Sequence, residues 1–165
     1  MNGKRLVRHL FTDQWSVRRA FPPAAMRAIR DKIAEQEKRH GGELRFAVEA
    51  SLPLLHLWRG QDARGRAVEL FSQLGVWDTE HNSGVLIYLL LADKRVEIVA
   101  DRGIHDRVGS APWETICGEM QRAFAAGRFD KGVSSGIAAI SDLLAEHFPA
   151  AEVRRDELPN EPVVL

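Results

Sequence analysis

Residues 77–106 constrain the fold most, because they contain the most apolar run of the chain with a polar cluster on each side of it. Residues 85–91 are too few to cross a bilayer and too uniformly apolar for a surface strand, which predicts a strand buried on both faces. Residues 92–95 then turn the chain. Over residues 96–101 an apolar set, Val96, Ile98 and Ala100, alternates with a wetter set, Glu97, Val99 and Asp101. This period of two predicts a second strand that folds back on the first as a hairpin.

The polar clusters at residues 78–82 and 101–106 flank the start of the first strand and the end of its antiparallel neighbour. These two ends lie at the same edge of a hairpin, so we expect any functional site there. Oxygen ligands favour a hard divalent cation, Ca²⁺ or Mg²⁺, whereas participation of the two histidines would favour Zn²⁺ or Mn²⁺. The candidate metal ligands are Asp78, Glu80, His81, Asn82, Asp101, His105 and Asp106.

A purely structural role for the same residues also fits the pattern. Asp78 and Asn82 are typical of turns, and Asp101 and Asp106 can pair with neighbouring arginines or cap the following helix. Neither an H-E-x-x-H motif nor an EF-hand loop occurs in the sequence. The sequence therefore leaves a cation site and ordinary turn chemistry both open.

The segments around the hairpin predict a mixed α/β domain. Residues 43–50 alternate as a strand, and a helical stripe of apolar residues separates them from residues 85–91. Strand, helix and strand make a βαβ unit with parallel strands and a right-handed crossover. With further helices predicted after Pro22, after Ser110 and from Phe129, the expected fold is a three-layer α/β/α sandwich with a small mixed sheet and about four helices.

The length of the chain indicates a single domain. With 165 residues, of which 45% are hydrophobic and 28% charged, it can bury a substantial core. We expect the domain to span residues 13–149, between a flexible N-terminal segment at residues 1–12, docked through Leu10 and Phe11, and a mobile C-terminal tail at residues 150–165. The interleaved basic and apolar residues of the N-terminal segment could also lie on a membrane surface, which the pattern favours less than docking. The single cysteine, Cys117, lies among apolar residues and is predicted to be a packed thiol.

The charge balance and the absence of long apolar runs restrict the kinds of partner that the chain is expected to bind. Lys plus Arg and Asp plus Glu both number 23, so the formal net charge is zero and no global basic field would attract nucleic acid. The N-terminus lacks the apolar core and the cleavage site of a signal peptide. The chain contains no run of about twenty apolar residues, so no transmembrane segment is predicted. These features predict a cytoplasmic protein.

Residues 51–60 are apolar but interrupted by a proline, which predicts a loop or a short helix over the sheet. Leu55, Leu57 and Trp58 would form a contact patch for a partner or a membrane if they were exposed, and would extend the core if they pointed inward. The pattern favours burial of these three side chains in the core, and it also favours burial of the four tryptophans of the chain.

The order of these elements resembles the TPM domain family over roughly residues 21–148. The resemblance implies a sandwich containing a βαβ unit, divalent-cation binding as in some members, and phosphatase activity that is found in some members and absent from others. The matching positions are Gly41, Gly42, Trp77, Asn82, Gly84, Val85, Leu86, Ile87, Asp93, Lys94, Arg95, Val96, Gly103, Ile104 and residues 127–133.

This sequence departs from the usual family pattern at the candidate site. The common Asn-Asn-Gly or Asp-Asn-Gly is Asn82-Ser83-Gly84 here. In the glycine-rich turn G-x-G-L-E, Asp101 replaces a glycine and His105 replaces a frequent glutamate. The signal peptide and transmembrane helix of many members have no counterpart in this sequence, so the resemblance does not imply a periplasmic or lumenal location.

Three classes of function follow from these patterns. We rank first a non-catalytic cation-binding interaction module, which docks on an unidentified protein partner in a larger, often membrane-bound, assembly through the polar loops or through residues 54–58. The alternative is a metal-assisted phosphomonoester phosphatase, with Asp101 or Asp106 as nucleophile or base and Arg102 neutralising charge. A doubly wound nucleotide-binding domain is disfavoured, since no glycine-rich phosphate turn follows residues 43–50.

Overall fold

The computed structural model of the chain describes residues 3–150 and 156–165. Its four strands are β1 (Glu43–Glu49), β2 (Gly84–Leu90), β3 (Arg95–Ala100) and β4 (Val163–Val164). They form one sheet in the order β3-β2-β1-β4. β1 pairs in parallel with β2 and with β4, whereas β2 and β3 form an antiparallel hairpin. The predicted hairpin and the predicted parallel pair are both confirmed.

Helices surround this sheet. Residues 3–150 and 156–165 contain eight α-helices, so the prediction of about four is wrong in number. They are α1 (Gly3–Phe11), α2 (Gln14–Ala20), α3 (Pro23–Gln36), α4 (Leu54–Trp58), α5 (Ala63–Gln73), α6 (Arg102–Val108), α7 (Ala111–Ala125) and α8 (Phe129–His147), with a short 3₁₀ helix at Glu37–Arg39. The four that were predicted from apolar stripes are α3, α5, α7 and α8. The short helix considered for residues 51–60 is α4, and α1, α2 and α6 are additional. Within the described ranges, none of the helices has the length and apolar character needed to cross a membrane.

The composition of β2 explains why helices pack on both faces of the sheet. Every residue of this strand is buried. Alternate side chains beginning with Val85 join a core with α3, α7 and α8. The side chains between them, beginning with Leu86, join a second core with α4 and α5. A strand that is apolar on both faces therefore produces the three-layer α/β/α arrangement that the sequence predicted.

A buried polar network fixes α5 against the sheet. Arg66 donates from Nε and Nη2 to the two carboxylate oxygens of Glu49, each at 3.0 Å, and the Tyr88 hydroxyl donates to Glu49 Oε2 at 2.6 Å. Burial and the neighbouring Glu49 carboxylate raise the pKa of Tyr88, so the phenol stays protonated and keeps donating. Glu49 is the last residue of β1, so this network occupies the end of the sheet opposite to the start of β2.

The N-terminal helix α1 docks on the turn between β2 and β3 through charged side chains. Arg5 and Arg8 each bind the Asp93 carboxylate at 2.9 Å, and His9 Nε2 lies 3.2 Å from it. Leu10 and Phe11, which we expected to anchor this segment, are exposed. The described part of the segment predicted to be flexible is thus a helix held by ion pairs.

The described part of the C-terminal tail also differs from the prediction of a mobile segment. Val163–Val164 pairs with β1 as a fourth strand, and Leu158 is buried in the second core. The backbone N–H of Leu165 donates to the carbonyl of Val48 at 3.0 Å. Residues 151–155 of the predicted tail lie outside the described residues.

Candidate functional site

The two polar loops that were predicted to meet at the edge of the hairpin are in contact. Asp101 donates its backbone N–H to the carbonyl of Gly84 at 2.9 Å, which joins the end of β3 to the start of β2. A Cβ atom at Gly103 would lie 2.8 Å from the carbonyl oxygen of His81 and 2.7 Å from that of Asn82. The loop before β2 and the first turn of α6 therefore touch through their backbones, and position 103 requires glycine. We call this contact the loop junction.

The sequence Asn82-Ser83-Gly84 suits the sharp path of the loop before β2. Asn82 has a φ of 49°, in the left-handed region that asparagine tolerates better than most residues. The Ser83 backbone N–H donates to Thr79 Oγ1 at 2.9 Å. At Gly84, a Cβ would collide with the carbonyl oxygen of Val76. These constraints fix the path of the loop, and with it the positions of its oxygens.

Asp101 is the one predicted ligand that the structure buries, at 8% exposure. Its Oδ1 accepts the Arg102 backbone N–H at 2.6 Å as the N-cap of α6. Neither Asp101 Oδ2 nor the buried hydroxyl of Ser83 has a hydrogen-bond partner among the residues that the structure describes. A buried polar atom left in this state costs about 1–3 kcal/mol. Both oxygens belong to residues of the loop junction, and a cation or water bound by either of them would offset this cost.

The other predicted ligands are exposed. Within residues 3–150 and 156–165, the carboxylate and imidazole atoms of the predicted set form no group of three that lie within 4.8 Å of one another. The structure brings the two loops together without assembling their side chains into a cation cage, and the ligand set stays a prediction. The exposed members are Asp78, Glu80, His81, Asn82, His105 and Asp106, and Arg102 is exposed as well.

His105 lines a cleft of about 470 Å³ against α7, together with Glu97, Glu114 and Cys117. Burial raises the pKa of the Glu97 carboxyl. Burial also raises the pKa of the Cys117 thiol to about 11, so the thiol is protonated at neutral pH. This environment agrees with the prediction of a packed, unreactive cysteine.

A second acidic group lies at the same end of the sheet, where Glu43 opens β1. Among the described residues, Glu37, Glu43 and Asp156 are the one set of three whose ligand atoms lie within 4.8 Å of one another. Glu37 Oε1 accepts the Leu44 N–H at 2.8 Å, and Glu43 Oε2 accepts the Leu158 N–H at 3.2 Å. Sequence reasoning missed this group because its members come from a helix end, a strand and a predicted tail, so no local spacing relates them.

A separate feature is the set of exposed apolar side chains on α4. Leu57 is buried, but Leu54, Leu55 and Trp58 are 51%, 58% and 73% exposed. The prediction that this segment extends the core is therefore wrong for Leu55 and Trp58, which form the alternative contact patch. Of the four tryptophans, Trp113 alone is buried in the described structure.

Together, the sheet, its two helical layers and the loop junction define a mixed α/β sandwich with a polar edge. The sequence matches the TPM domain over residues 18–143, so the chain belongs to the TPM domain family. Its fold is similar to the NMR structure of the BA42 protein from the psychrophilic bacterium Bizionia argentinensis sp. nov., with a TM-score of 0.78 and 32% identity over 88% of this chain and 95% of that one.

A second solved structure, the N-terminal domain of a protein from P. gingivalis determined by solution NMR, is similar with a TM-score of 0.61. It is 19% identical over 80% of this chain and 83% of that one, a likeness that shows the fold alone. The comparison with curated proteins gives no match.

Proposed function

We propose that this TPM domain is a divalent-cation-binding interaction module whose cation lies at the loop junction. The observation that supports this most is the pair of buried oxygens, Asp101 Oδ2 and Ser83 Oγ, that have no hydrogen-bond partner in the described structure. A cation there would offset the cost of burying a carboxylate oxygen without a hydrogen bond. Cation binding is also what the family resemblance implies for some members.

The chemistry of the loop junction favours Ca²⁺ or Mg²⁺. Asp101 and Ser83 offer oxygen atoms, and a bound cation would have to draw in the exposed carboxylate and amide groups of the two loops as further oxygen ligands. Hard cations bind such sets, and Ca²⁺ accepts about six to eight oxygen ligands in a flexible geometry. Zn²⁺ or Mn²⁺ would call for the imidazoles of His81 and His105, but His105 lines the cleft against α7.

We place binding ahead of phosphate hydrolysis because of the position of Asp101. A nucleophile must reach the phosphorus atom, whereas this carboxylate is buried and caps α6 through Oδ1. Asp106, the other candidate, is exposed, but in the described structure it belongs to no group of three metal-ligating side chains that could hold a cation beside it. Turnover of an aryl phosphate with Ca²⁺ or Mg²⁺ would support the phosphatase alternative if it were lost in Asp101→Asn. The interaction role is supported by the exposed residues Leu54, Leu55 and Trp58.

Thermal melting after treatment with a chelator tests the cation site. Ca²⁺ or Mg²⁺ at about 100 times its dissociation constant should stabilise the domain by about 2.7 kcal/mol. Asp101→Asn should remove this response, because the amide keeps an oxygen for the helix cap but loses the charge. Glu43→Gln is the matched control, since Glu43 belongs to the other acidic group, and it should keep the response.

Two outcomes contradict the site. One is a melting temperature that stays constant with Ca²⁺, Mg²⁺, Mn²⁺ and Zn²⁺. The other is a cation response that survives in Asp101→Asn and is lost in Glu43→Gln, which would move the cation to the group formed by Glu37, Glu43 and Asp156.

A further inference from the structure

We propose that α1 and α4 form a face that docks on an anionic phospholipid membrane and that an adjacent basic cleft holds the lipid phosphates. The first observation is the orientation of α1. Arg5 and His9 lie against the protein beside Asp93, and Leu6 packs partly against the second core, whereas the other apolar side chains of α1 face solvent. Val7, Leu10 and Phe11 are 53%, 58% and 82% exposed. An apolar helix side left in water favours a partner that covers it.

The short helix α4 adds further exposed apolar side chains, and the chain on either side of it is bonded to α1. The Leu52 N–H donates to His9 Nδ1 at 3.0 Å, and Arg5 Nη2 donates to the Gln61 carbonyl at 3.0 Å. α1 is therefore bonded to the chain just before α4 and just after it. The side chains that α4 adds to the surface are Leu54, Leu55 and Trp58. We call the combined surface of α1 and α4 the apolar face.

The charges around the apolar face select an anionic occupant. Residues 3–20 and 51–61 carry six Lys and Arg side chains and one carboxylate, Asp13. Asp93, which binds Arg5 and Arg8, is a second carboxylate, so six positive charges stand against two negative ones, although the whole chain is neutral. Anionic lipid headgroups complement this charge, and basic residues beside exposed aromatic and aliphatic groups are the composition of helices that lie on membrane surfaces. A second copy of the chain would instead bring the same positive charge against it.

A cleft of about 550 Å³ opens beside α1 and supplies a place for phosphate groups. Its charged lining consists of Arg8, Arg19 and Lys94 with one carboxylate, Asp130. The Arg19 guanidinium lies over the ring of Trp15, 4.6 Å from its centroid, and this tryptophan is 63% exposed. Aromatic rings at the acyl boundary and cations at the headgroup level match the two layers of a lipid interface.

The apolar face lies at the end of the sheet that carries Asp93, whereas the loop junction lies at the start of β2. The inference shares no residue with the proposed cation site. It rests on the proposed interaction role, which the exposed residues of α4 also support, and it names an anionic membrane as the partner of those residues. The vesicle-binding test below is carried out with a chelator present, so its result does not depend on cation binding. Either proposal can then fail without the other.

Co-sedimentation with vesicles tests the inference. The protein should bind vesicles of phosphatidylcholine with phosphatidylglycerol at least about tenfold more strongly than pure phosphatidylcholine, and high salt should weaken the binding. Phe11→Ser with Trp58→Ser should lower the partition coefficient at least about tenfold, since it removes two aromatic anchors. Trp77→Ser, at an exposed tryptophan of the loop before β2, is the matched control and should bind as the unmodified protein does.

The cleft is tested by Arg19→Gln with Lys94→Gln, which should weaken binding to the anionic vesicles roughly tenfold or more, because each cation near the surface contributes about 1 kcal/mol.

Failure of the protein to sediment with anionic vesicles overturns the inference, as does unchanged binding by the Phe11/Trp58 variant. Displacement by soluble glycerol phosphate, with unchanged binding by that variant, would assign the cleft to a soluble ligand instead. A different outcome is that the protein forms a dimer that the Phe11/Trp58 substitutions dissociate and that vesicles do not. That result would make the apolar face a protein–protein interface and would also overturn the inference.

Discussion

Close packing selects particular glycines in this domain. In α8, a Cβ at Gly132 would lie 2.6 Å from the Phe124 ring, and a Cβ at Gly136 would collide with the Met120 sulfur. Both positions let α8 approach α7 closely, which accounts for two glycines in a helix that they would otherwise weaken by roughly 1 kcal/mol each. Gly103 acts in the same way at the loop junction, where the obstacles are backbone carbonyls rather than side chains.

Gly103→Ala is expected to lower the free energy of unfolding by about 1–3 kcal/mol, because the carbonyl oxygens of His81 and Asn82 occupy the space of the new methyl group. Gly118→Ala is the control within α7, where the nearest atom to a Cβ is Arg122 Nη1 at 3.6 Å. The control should raise the stability by about 0.5–1 kcal/mol. Urea unfolding measures both, and a stabilising Gly103→Ala would contradict the contact between the two loops.

At the scale of helices and strands, the sequence predicted the elements whose side chains follow the period of a core. β2 was recognised by its uninterrupted apolar residues and α5 by its apolar stripe. In the structure Asp62 caps α5 by accepting the Gly65 N–H at 2.8 Å. Other elements are held differently. α1 is fixed to Asp93 by ion pairs that span more than eighty residues, and β4 by the backbone pairing of two residues. Local spacing carries no signal for either contact.

His9 is expected to make the docking of α1 sensitive to acid. Its Nδ1 accepts the Leu52 N–H at 3.0 Å, which requires a neutral imidazole. Burial lowers the pKa of His9 below its usual value of 6.5, although Asp93 opposes the shift. The unfolded chain therefore binds this proton more readily than the folded chain. The stability contributed by neutral His9 is complete above about pH 6.5 and is lost as the pH falls below it.

Thermal melts at about pH 7.5 and about pH 5.5 check this expectation. His9→Gln keeps an oxygen that can accept the Leu52 N–H but does not titrate. The decrease in melting temperature between the two pH values should be smaller in this variant than in the unmodified protein. Equal decreases would show that protonation of His9 does not contribute to the loss of stability in acid.

At the scale of the whole molecule, hairpin geometry was enough to predict that the loops before β2 and after β3 meet, because adjacent antiparallel strands start and end at one edge. It was not enough to predict which side chains converge there. The left-handed Asn82 and the tight approach at Gly84 set the path of the first loop and leave Asp78 and Glu80 exposed. The group that contains Asp156 depends on where the C-terminal segment folds, which no pattern in that segment indicates.

The C-terminal segment is part of the packed domain at both ends of the sheet. Glu157 accepts the Glu80 N–H through Oε2 at 2.9 Å, beside the loop junction. Arg45 donates to the carbonyl of Pro159, and Gln14 donates to the carbonyl of Leu165 at 2.9 Å. Contacts of this kind link α2, β1 and the loop before β2, so the segment should contribute to the stability of the whole domain.

Leu158→Ala is expected to lower the free energy of unfolding by about 2–5 kcal/mol, because the side chain is 7% exposed in the second core and its truncation leaves a cavity. Val164→Ala removes apolar atoms from the same segment at a position that is 45% exposed, and it should change the stability by less than about 1 kcal/mol. Urea unfolding of the full chain measures both changes. If Leu158→Ala were as mild as Val164→Ala, the segment would be a mobile tail, as its composition alone suggested, and the burial of Glu43 beneath it would need another cause.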